Sequence, residues 1–134
     1  MRLSRRDLTL LLPALAAAQP GRLPSKIYRN SQIPYEGDAK KKGREFFKGA
    51  NHSNFALEMH ETILGPDVQT HAPHKHEHEE IVIVFEGTVE TYLEGKTELA
   101  EAGSVIYFAS NQMHSARNAG TTPCRYYVLE LRGS

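Results

Sequence analysis

The chain has 134 residues, 40% of them hydrophobic and 24% charged, and its formal net charge at pH 7 is zero. This length fits one domain, and the composition excludes a disordered chain. Residues 55–134 carry twelve acidic and five basic side chains, which excludes the basic core expected of a nucleic-acid-binding protein. Cys124 is the single cysteine, so an intrachain disulfide is excluded, and we expect this residue to serve in packing.

Residues 1–18 have the pattern of a secretory signal peptide. A basic start is followed by an apolar stretch, Leu8–Ala18, that is too short to span a bilayer, and the three alanines ending at Ala18 form a cleavage site. The pair Arg5-Arg6 resembles the twin-arginine type of bacterial export signal, with an ordinary signal peptide as the alternative. We therefore expect a periplasmic or secreted protein without stable membrane insertion.

Residues 19–54 are predicted to form a polar N-terminal arm. Prolines and glycines interrupt every long hydrophobic period in this region, so we expect no helix of useful length. Short extended pieces such as Lys26–Arg29 can add edge strands, and Lys40–Lys42 is expected in a solvated surface turn.

Residues 55–131 are predicted to form an all-β domain. Short segments rich in β-branched and aromatic residues alternate with turns, several of which contain glycine. The predicted strands are Phe55–Leu64, Val68–His71, Glu80–Phe85, Thr88–Leu93, Thr97–Ala100, Ser104–Phe108, His114–Asn118 and Arg125–Leu131. Eight short strands joined by turns favour a sandwich or a closed barrel.

Two of these strands predict how the domain packs. In Glu80–Phe85 both alternating faces are apolar, which predicts cover on both sides by the arm, by a second sheet or by a partner subunit. A homodimer that uses these faces is therefore expected. In Phe55–Leu64, by contrast, His60 shares a polar face with Glu58 and Thr62 and points either into the barrel or to solvent.

The segment that leads into Glu80 is rich in histidine. His74, His76 and Glu80 share a parity, so their side chains point to one side in an extended chain with a mild bulge. Two imidazole nitrogens and a carboxylate oxygen suit a divalent transition metal, and a solvated polar loop is the alternative. His71, on the other parity, and His78, in the turn before the strand, are weaker ligand candidates.

A second segment, Gly103–Asn118, contains His114, and together the two segments resemble the two motifs of the cupin superfamily. The first motif, G-x5-H-x-H-x3,4-E-x6-G, lacks its leading glycine here and is otherwise matched at His74, His76, Glu80 and Gly87. The second motif, G-x5-P-x-G-x2-H-x3-N, is matched at Gly103, His114 and Asn118. Ala109 replaces its proline and Asn111 its second glycine, and asparagine tolerates the left-handed backbone of such a turn.

The resemblance implies a jelly-roll β-barrel of the RmlC-like cupin type with an extended N-terminal arm. It also implies a metal centre with four protein ligands, which are His74, His76, Glu80 and His114. The ligands offer nitrogen and oxygen without thiolate, so the ion is expected to be one divalent transition metal: Mn, Fe, Co, Ni, Cu or Zn. The catalytic residues and the substrate stay open.

We favour a metal-dependent oxidoreductase or dioxygenase that acts on a small organic molecule. The alternatives are a metal-dependent isomerase or lyase, and a non-catalytic module that binds a small ligand or a metal. A basic side chain near the metal would suit a carboxylate substrate, and Arg117 and Arg125 are the candidates for that role. Tyr107 and Tyr127 are candidates for the lining of the pocket.

Overall fold

A computed structural model describes residues 21–133 of the chain, so the predicted signal peptide at residues 1–18 lies outside the described residues. The described residues form one short 3-10 helix, Asn30–Gln32, and nine strands. The strands are β1 Glu36–Gly37, β2 Lys41–Ala50, β3 Ala56–Leu64, β4 Glu79–Glu86, β5 Thr88–Leu93, β6 Lys96–Glu101, β7 Val105–Phe108, β8 His114–Asn118 and β9 Cys124–Arg132. The all-β prediction is confirmed. No helix in this part of the chain is long and apolar enough to cross a membrane.

The strands form two antiparallel sheets, a large one in the order β1-β2-β3-β9-β4-β7 and a small one in the order β6-β5-β8. Inward-facing side chains from both sheets build one core, because alternate residues of a strand point to the same face. The fully or nearly fully buried apolar residues of this core are Leu64, Val82, Val84, Val89, Phe108, Cys124, Tyr126 and Val128. The predicted jelly roll is confirmed.

Three local predictions for the residues before β4 are wrong. Strand β2 begins inside the predicted turn Lys40–Lys42, because its backbone pairs with β3 along the whole length of that strand despite its glycines and charges. Lys26–Arg29 forms no strand. The predicted strand Val68–His71 is reduced to an isolated bridge between Gln69 and Arg117, since this segment only passes beside β8.

The two faces of β4 differ. Val82 and Val84 are buried against the small sheet, whereas Ile83 and Phe85 on the outer face are 41% and 55% exposed. Within one chain, therefore, only the inner face of β4 is covered, although cover was predicted for both faces. Cover of the outer face by a partner subunit stays a prediction.

The N-terminal arm covers a different part of the large sheet, over β2 and β3. There Arg44 and Glu61 form an ion pair of 2.6 Å whose side chains are at most 3% exposed. The Arg44 guanidinium also donates to the carbonyl oxygens of Asn30 and Ile33, at 3.0 and 3.1 Å, and the Tyr35 hydroxyl donates to Glu61 at 3.1 Å. Since a buried charge is tolerated only when it is paired and hydrogen-bonded, this network anchors the arm to the sheet.

Candidate metal centre

The inward faces of the two sheets enclose a cavity of about 350 Å³, and six of the seven histidines line it. Four of them come from the segment between β3 and β4, one from β3 and one from the start of β8. Reciprocal backbone hydrogen bonds of 3.0 and 2.8 Å join His74 to His114 and so hold the two distant segments together.

The rings of His74, His76 and His114 converge in this cavity. One nitrogen of each lies within 4.8 Å of one nitrogen of the other two, and the ring centroids are 4.8 to 5.0 Å apart. Asn111 supports this arrangement, because its backbone N–H donates to the carbonyl oxygen of His76 at 2.7 Å. Its φ of 59° is the left-handed conformation expected where the motif has glycine.

Hydrogen bonds on the far side of two rings fix which nitrogen faces the cavity. His76 Nδ1–H donates to the carbonyl oxygen of His78 at 2.8 Å, and His114 Nδ1–H donates to that of Gln112 at 2.8 Å. The proton on Nδ1 leaves the lone pair on Nε2, which is the usual arrangement of a histidine that binds a metal. Both Nε2 atoms are buried and have no hydrogen-bond partner among the described residues.

The Glu80 carboxylate faces these two nitrogens. Its Oε1 lies 3.0 Å from His76 Nε2, and its Oε2 lies 3.6 Å from His114 Nε2. Lone pairs on nitrogen and oxygen repel one another at such distances unless a proton or a cation lies between them. The four side chains therefore fit a divalent transition-metal ion in the chemistry of their donor atoms, three imidazoles and one carboxylate.

The electrostatics of the site keep Glu80 charged. Burial by itself would raise the pKa of Glu80, but the nearby His114 ring, helped by His76 and His78, lowers it overall. Burial opposes the charged form of His114, while Glu80 outweighs that effect and raises the pKa of His114. Burial, followed by the nearby His71, lowers the pKa of His74, so that this ring is neutral and able to bind a metal.

The structure brings the four predicted ligands, His74, His76, Glu80 and His114, to one cavity, and their role as ligands stays a prediction. His71 stacks on His74 with 3.8 Å between ring centroids. His78 stacks on His76 at 3.5 Å and also approaches Glu80 Oε1 at 3.6 Å. His60 lines the cavity, so of its two predicted directions the inward one is correct.

The basic and aromatic residues that the sequence pointed to do not line this cavity. Arg117 is paired with Glu90, and Arg125 with Glu86 and Glu61. Tyr107 is 53% exposed on the outer face, where Tyr127 also packs, against Phe46 and Phe85.

Sequence reasoning missed Lys41, Tyr126 and Glu130, which do line the cavity. The alternation of β9 carries the missing signal, since Tyr126 and Glu130 share the parity of the buried Cys124 and Val128. Burial raises the pKa of the Tyr126 hydroxyl, which faces Thr62 and Thr70 and stays protonated as a hydrogen-bond donor. Lys41 places a positive charge at the wall of the cavity, and its ammonium group donates a hydrogen bond to the carbonyl oxygen of Thr70. Residues near the cavity can therefore orient an anionic group.

Comparisons with known proteins agree with this architecture. The sequence profile of the cupin domain family matches residues 60–130. An RmlC-like cupin from Shewanella frigidimarina superposes with a TM-score of 0.67 and 17% identity, covering 82% of this chain and 93% of that one. The polyketide cyclase RemF from Streptomyces resistomycificus gives a TM-score of 0.64 and 20% identity over 81% of this chain and 80% of its own.

An oxalate oxidase superposes with a TM-score of 0.51 and 22% identity, covering 55% of this chain and 41% of that one. No functionally curated protein matches the sequence. Because the identities are low and the printed activities differ, these similarities show a common fold and leave the reaction open.

Proposed function

The chain belongs to the cupin domain family, and from this premise we propose that it is an exported metal-dependent oxidoreductase or dioxygenase that acts on a small organic molecule. The metal would be one divalent transition-metal ion held by His74, His76, Glu80 and His114. The observation that carries the proposal is the pair of buried Nε2 lone pairs, on His76 and His114, that face the Glu80 carboxylate without a hydrogen-bond partner among the described residues.

The cavity supports a small-molecule substrate. Its volume of about 350 Å³ is near the lower end of typical ligand pockets. Val82, Phe108 and Val128 supply an apolar wall. Lys41 would attract a carboxylate or phenolate, and Tyr126 would donate a hydrogen bond to it. When bound, the metal would supply Lewis-acid or redox chemistry at the positions that the four protein ligands leave open.

Proteins that share this fold include an oxalate oxidase and a polyketide cyclase, so the fold is compatible with oxidation and with the alternative of isomerase or lyase chemistry. The two differ in oxygen consumption. A protein that binds metal and ligand but converts none of the substrates offered to it would be the non-catalytic module.

The test starts from the mature protein purified after export by its native host. We expect elemental analysis of the wild type to find bound transition metal. The double variant His76→Ala, His114→Ala should contain one equivalent per chain less. His52→Ala, which changes an exposed histidine outside the cavity, should remove none. Retention of all metal in the double variant would refute the proposed centre. Oxygen uptake with phenolic, oxalate-like and keto-acid compounds then separates oxidation from the alternatives.

We also propose that the protein is a homodimer joined through the outer faces of β4 and β7. Ile83 and Val105 lie opposite each other there, and with Phe85 and Tyr107 they are 41% to 65% exposed. An apolar surface of this kind is typical of an interface between copies. Light scattering should give twice the chain mass, and Val105→Glu should halve it, while Leu99→Glu on the small sheet should not. A wild-type protein with the mass of one chain would exclude the dimer.

A further inference from the structure

A second group of metal-binding side chains lies beside the predicted centre. Glu58 and His60 on β3 and Glu130 on β9 each offer a donor atom, and the three atoms lie within 4.8 Å of one another. Strand register produces this group, because Glu58 lies directly opposite Glu130, which in turn lies directly opposite Glu80 on β4. Three carboxylates thus form a row across the inner face of the large sheet.

Within this row, Glu58 and Glu130 place like charges directly opposite each other in the metal-free chain. Like charges directly opposite one another on neighbouring strands destabilise a sheet, and the three glutamate side chains are only 14% to 22% exposed. Lys48 contacts Glu58 Oε2 at 2.8 Å from one end of the row, but it is 68% exposed and therefore well solvated. A bound cation between Glu58 and Glu130 would remove the repulsion.

Histidine contacts distinguish this group from a simple patch of acidic residues. The Nδ1 atom of His60 is buried, has no hydrogen-bond partner among the described residues, and lies 3.7 Å from Glu58 Oε1. That separation is too long for a hydrogen bond. An unpaired buried nitrogen is unfavourable. A cation bound between this nitrogen and the two carboxylates would satisfy all three groups.

His78 has a different part in this arrangement. Arg132 can only donate, and its guanidinium lies 3.3 Å from His78 Nδ1, so His78 carries its hydrogen on Nε2. That Nε2–H faces Glu130 Oε2 at 3.3 Å and Glu80 Oε1 at 3.6 Å. His78 therefore lies between Glu80 of the predicted centre and Glu130 of the second group, and it orients Glu130. It has no free lone pair with which to bind a metal.

We propose that Glu58, His60 and Glu130 form a second site for a divalent transition-metal ion, separate from the centre of His74, His76, Glu80 and His114. One imidazole and two carboxylates suit Mn, Fe, Co or Zn and leave positions for water. Glu58 and Glu130 also line a second cavity of about 270 Å³, through which an ion could reach them without passing through the first cavity. The proposal does not depend on any enzymatic activity.

The test is a titration of the metal-free full chain with zinc, followed by gel filtration and elemental analysis. We expect two zinc ions per chain in the wild type and one in the variant with Glu58→Gln and Glu130→Gln. The variant with His76→Ala and His114→Ala should also keep one, and the combination of all four changes should keep none. Glu98→Gln, an exposed glutamate on β6, is the matched control and should keep two.

The outcomes separate the two sites. One zinc ion in the wild type that the Glu58→Gln, Glu130→Gln variant retains, or two ions in that variant, would overturn the second site. A variant without His76 and His114 that still binds two ions would instead refute the centre on which the proposed function rests. Glutamine keeps the shape of glutamate, and circular dichroism of each metal-free variant checks that it folds.

Lys48 gives an independent measurement that does not remove a ligand. Its ammonium competes with a metal for Glu58, so Lys48→Met should raise the zinc affinity of the second site several-fold and leave that of the first unchanged. Cobalt, titrated in parallel, reports the coordination of each site by its visible spectrum. An unchanged or weaker second binding step in Lys48→Met would contradict the proposal.

Discussion

The two faces of the large sheet each bury a glutamate beside nitrogen-containing side chains, yet the two sites are of different kinds. On the outer face, Glu61 pairs with the permanent cation of Arg44, which also donates hydrogen bonds to two backbone carbonyl oxygens of the arm. On the inner face, Glu80 meets imidazole nitrogens whose protons are turned away, so that acceptor faces acceptor. The Arg44 guanidinium finds its partners among the described residues, whereas the inner group has room for an ion.

This difference follows from the chemistry of the partner. Arginine does not lose its proton in proteins and has no lone pair to offer, so its pairing with a carboxylate is structural. Histidine is neutral near pH 7 and binds metals through the nitrogen that its other hydrogen bond leaves free. The nitrogen partner of a buried carboxylate therefore indicates whether the site holds the fold together or binds an ion.

The largest effect on stability is expected on the outer face. Arg44→Met leaves the buried Glu61 with only the more distant Arg125 guanidinium, 3.6 Å away, and should lower the free energy of unfolding by about 3–5 kcal/mol, as measured by urea denaturation. Adding Glu61→Gln should recover part of the loss, because no uncompensated charge then remains. Metal content per folded chain should stay at its wild-type value. A loss below about 1 kcal/mol would mean that the buried pair adds little.

The corresponding change on the inner face should affect the metal instead. Glu80→Gln preserves the shape of the side chain and removes its charge. We expect the unfolding free energy of the metal-free protein to change by about 1 kcal/mol or less, while metal affinity falls by at least about tenfold, as expected when a coordinating group is weakened. Isothermal titration measures the affinity. Equal losses of stability from Glu80→Gln and Arg44→Met would remove the distinction between the faces.

The stability of the metal-free protein should depend on pH through Glu80 and His114 of the inner site. Since the pKa of Glu80 is lowered in the folded state, its contribution is present above the unfolded value of about 4.3 and is lost as the pH falls. The pKa of His114 is raised, so its contribution is present below the unfolded value of about 6.5 and is lost as the pH rises through the folded value.

We therefore expect these two groups together to favour stability most between about pH 4.3 and 6.5. Urea denaturation in a chelating buffer at several pH values tests this, and Glu80→Gln should flatten the profile. An unchanged profile in that variant would show that other groups dominate.

The smallest effect concerns the loop that positions His76. Asn111 has a φ of 59°, so Asn111→Ala should cost about 1 kcal/mol of stability. Asn111→Gly should cost nearly nothing, because glycine adopts this conformation freely. Thermal melting of the metal-free variants compares the two. Equal melting temperatures for both variants would argue against backbone strain at this position.

The sequence predicted most of the core domain because local spacing carries the information. The parity of His74, His76 and Glu80, with the resemblance of a second segment to a motif, predicts one site for these residues and His114. The structure places all four around one cavity, and their role as ligands stays a prediction. Strand β2 was missed, because its residues become a strand through pairing with β3 rather than by their own preferences.

What could not be predicted depends on register between strands that lie far apart in the chain. Glu58 and Glu130 are 72 positions apart and are neighbours solely because β3 and β9 pair in one particular register. A one-residue slip would exchange the faces of every side chain, and the alternation within one strand does not identify the residues that lie opposite on a distant strand.

Strand β2 has a practical meaning for anyone who shortens this protein. It lies before residues 60–130, the part recognised by the family profile, yet its Lys41 and Lys48 contact the two cavities. A truncated version that starts at residue 55 would expose the backbone edge of β3, and bare edges promote aggregation. Such a fragment would be expected to precipitate or to form fibres, so the sheet order is the better guide to where the chain can be cut.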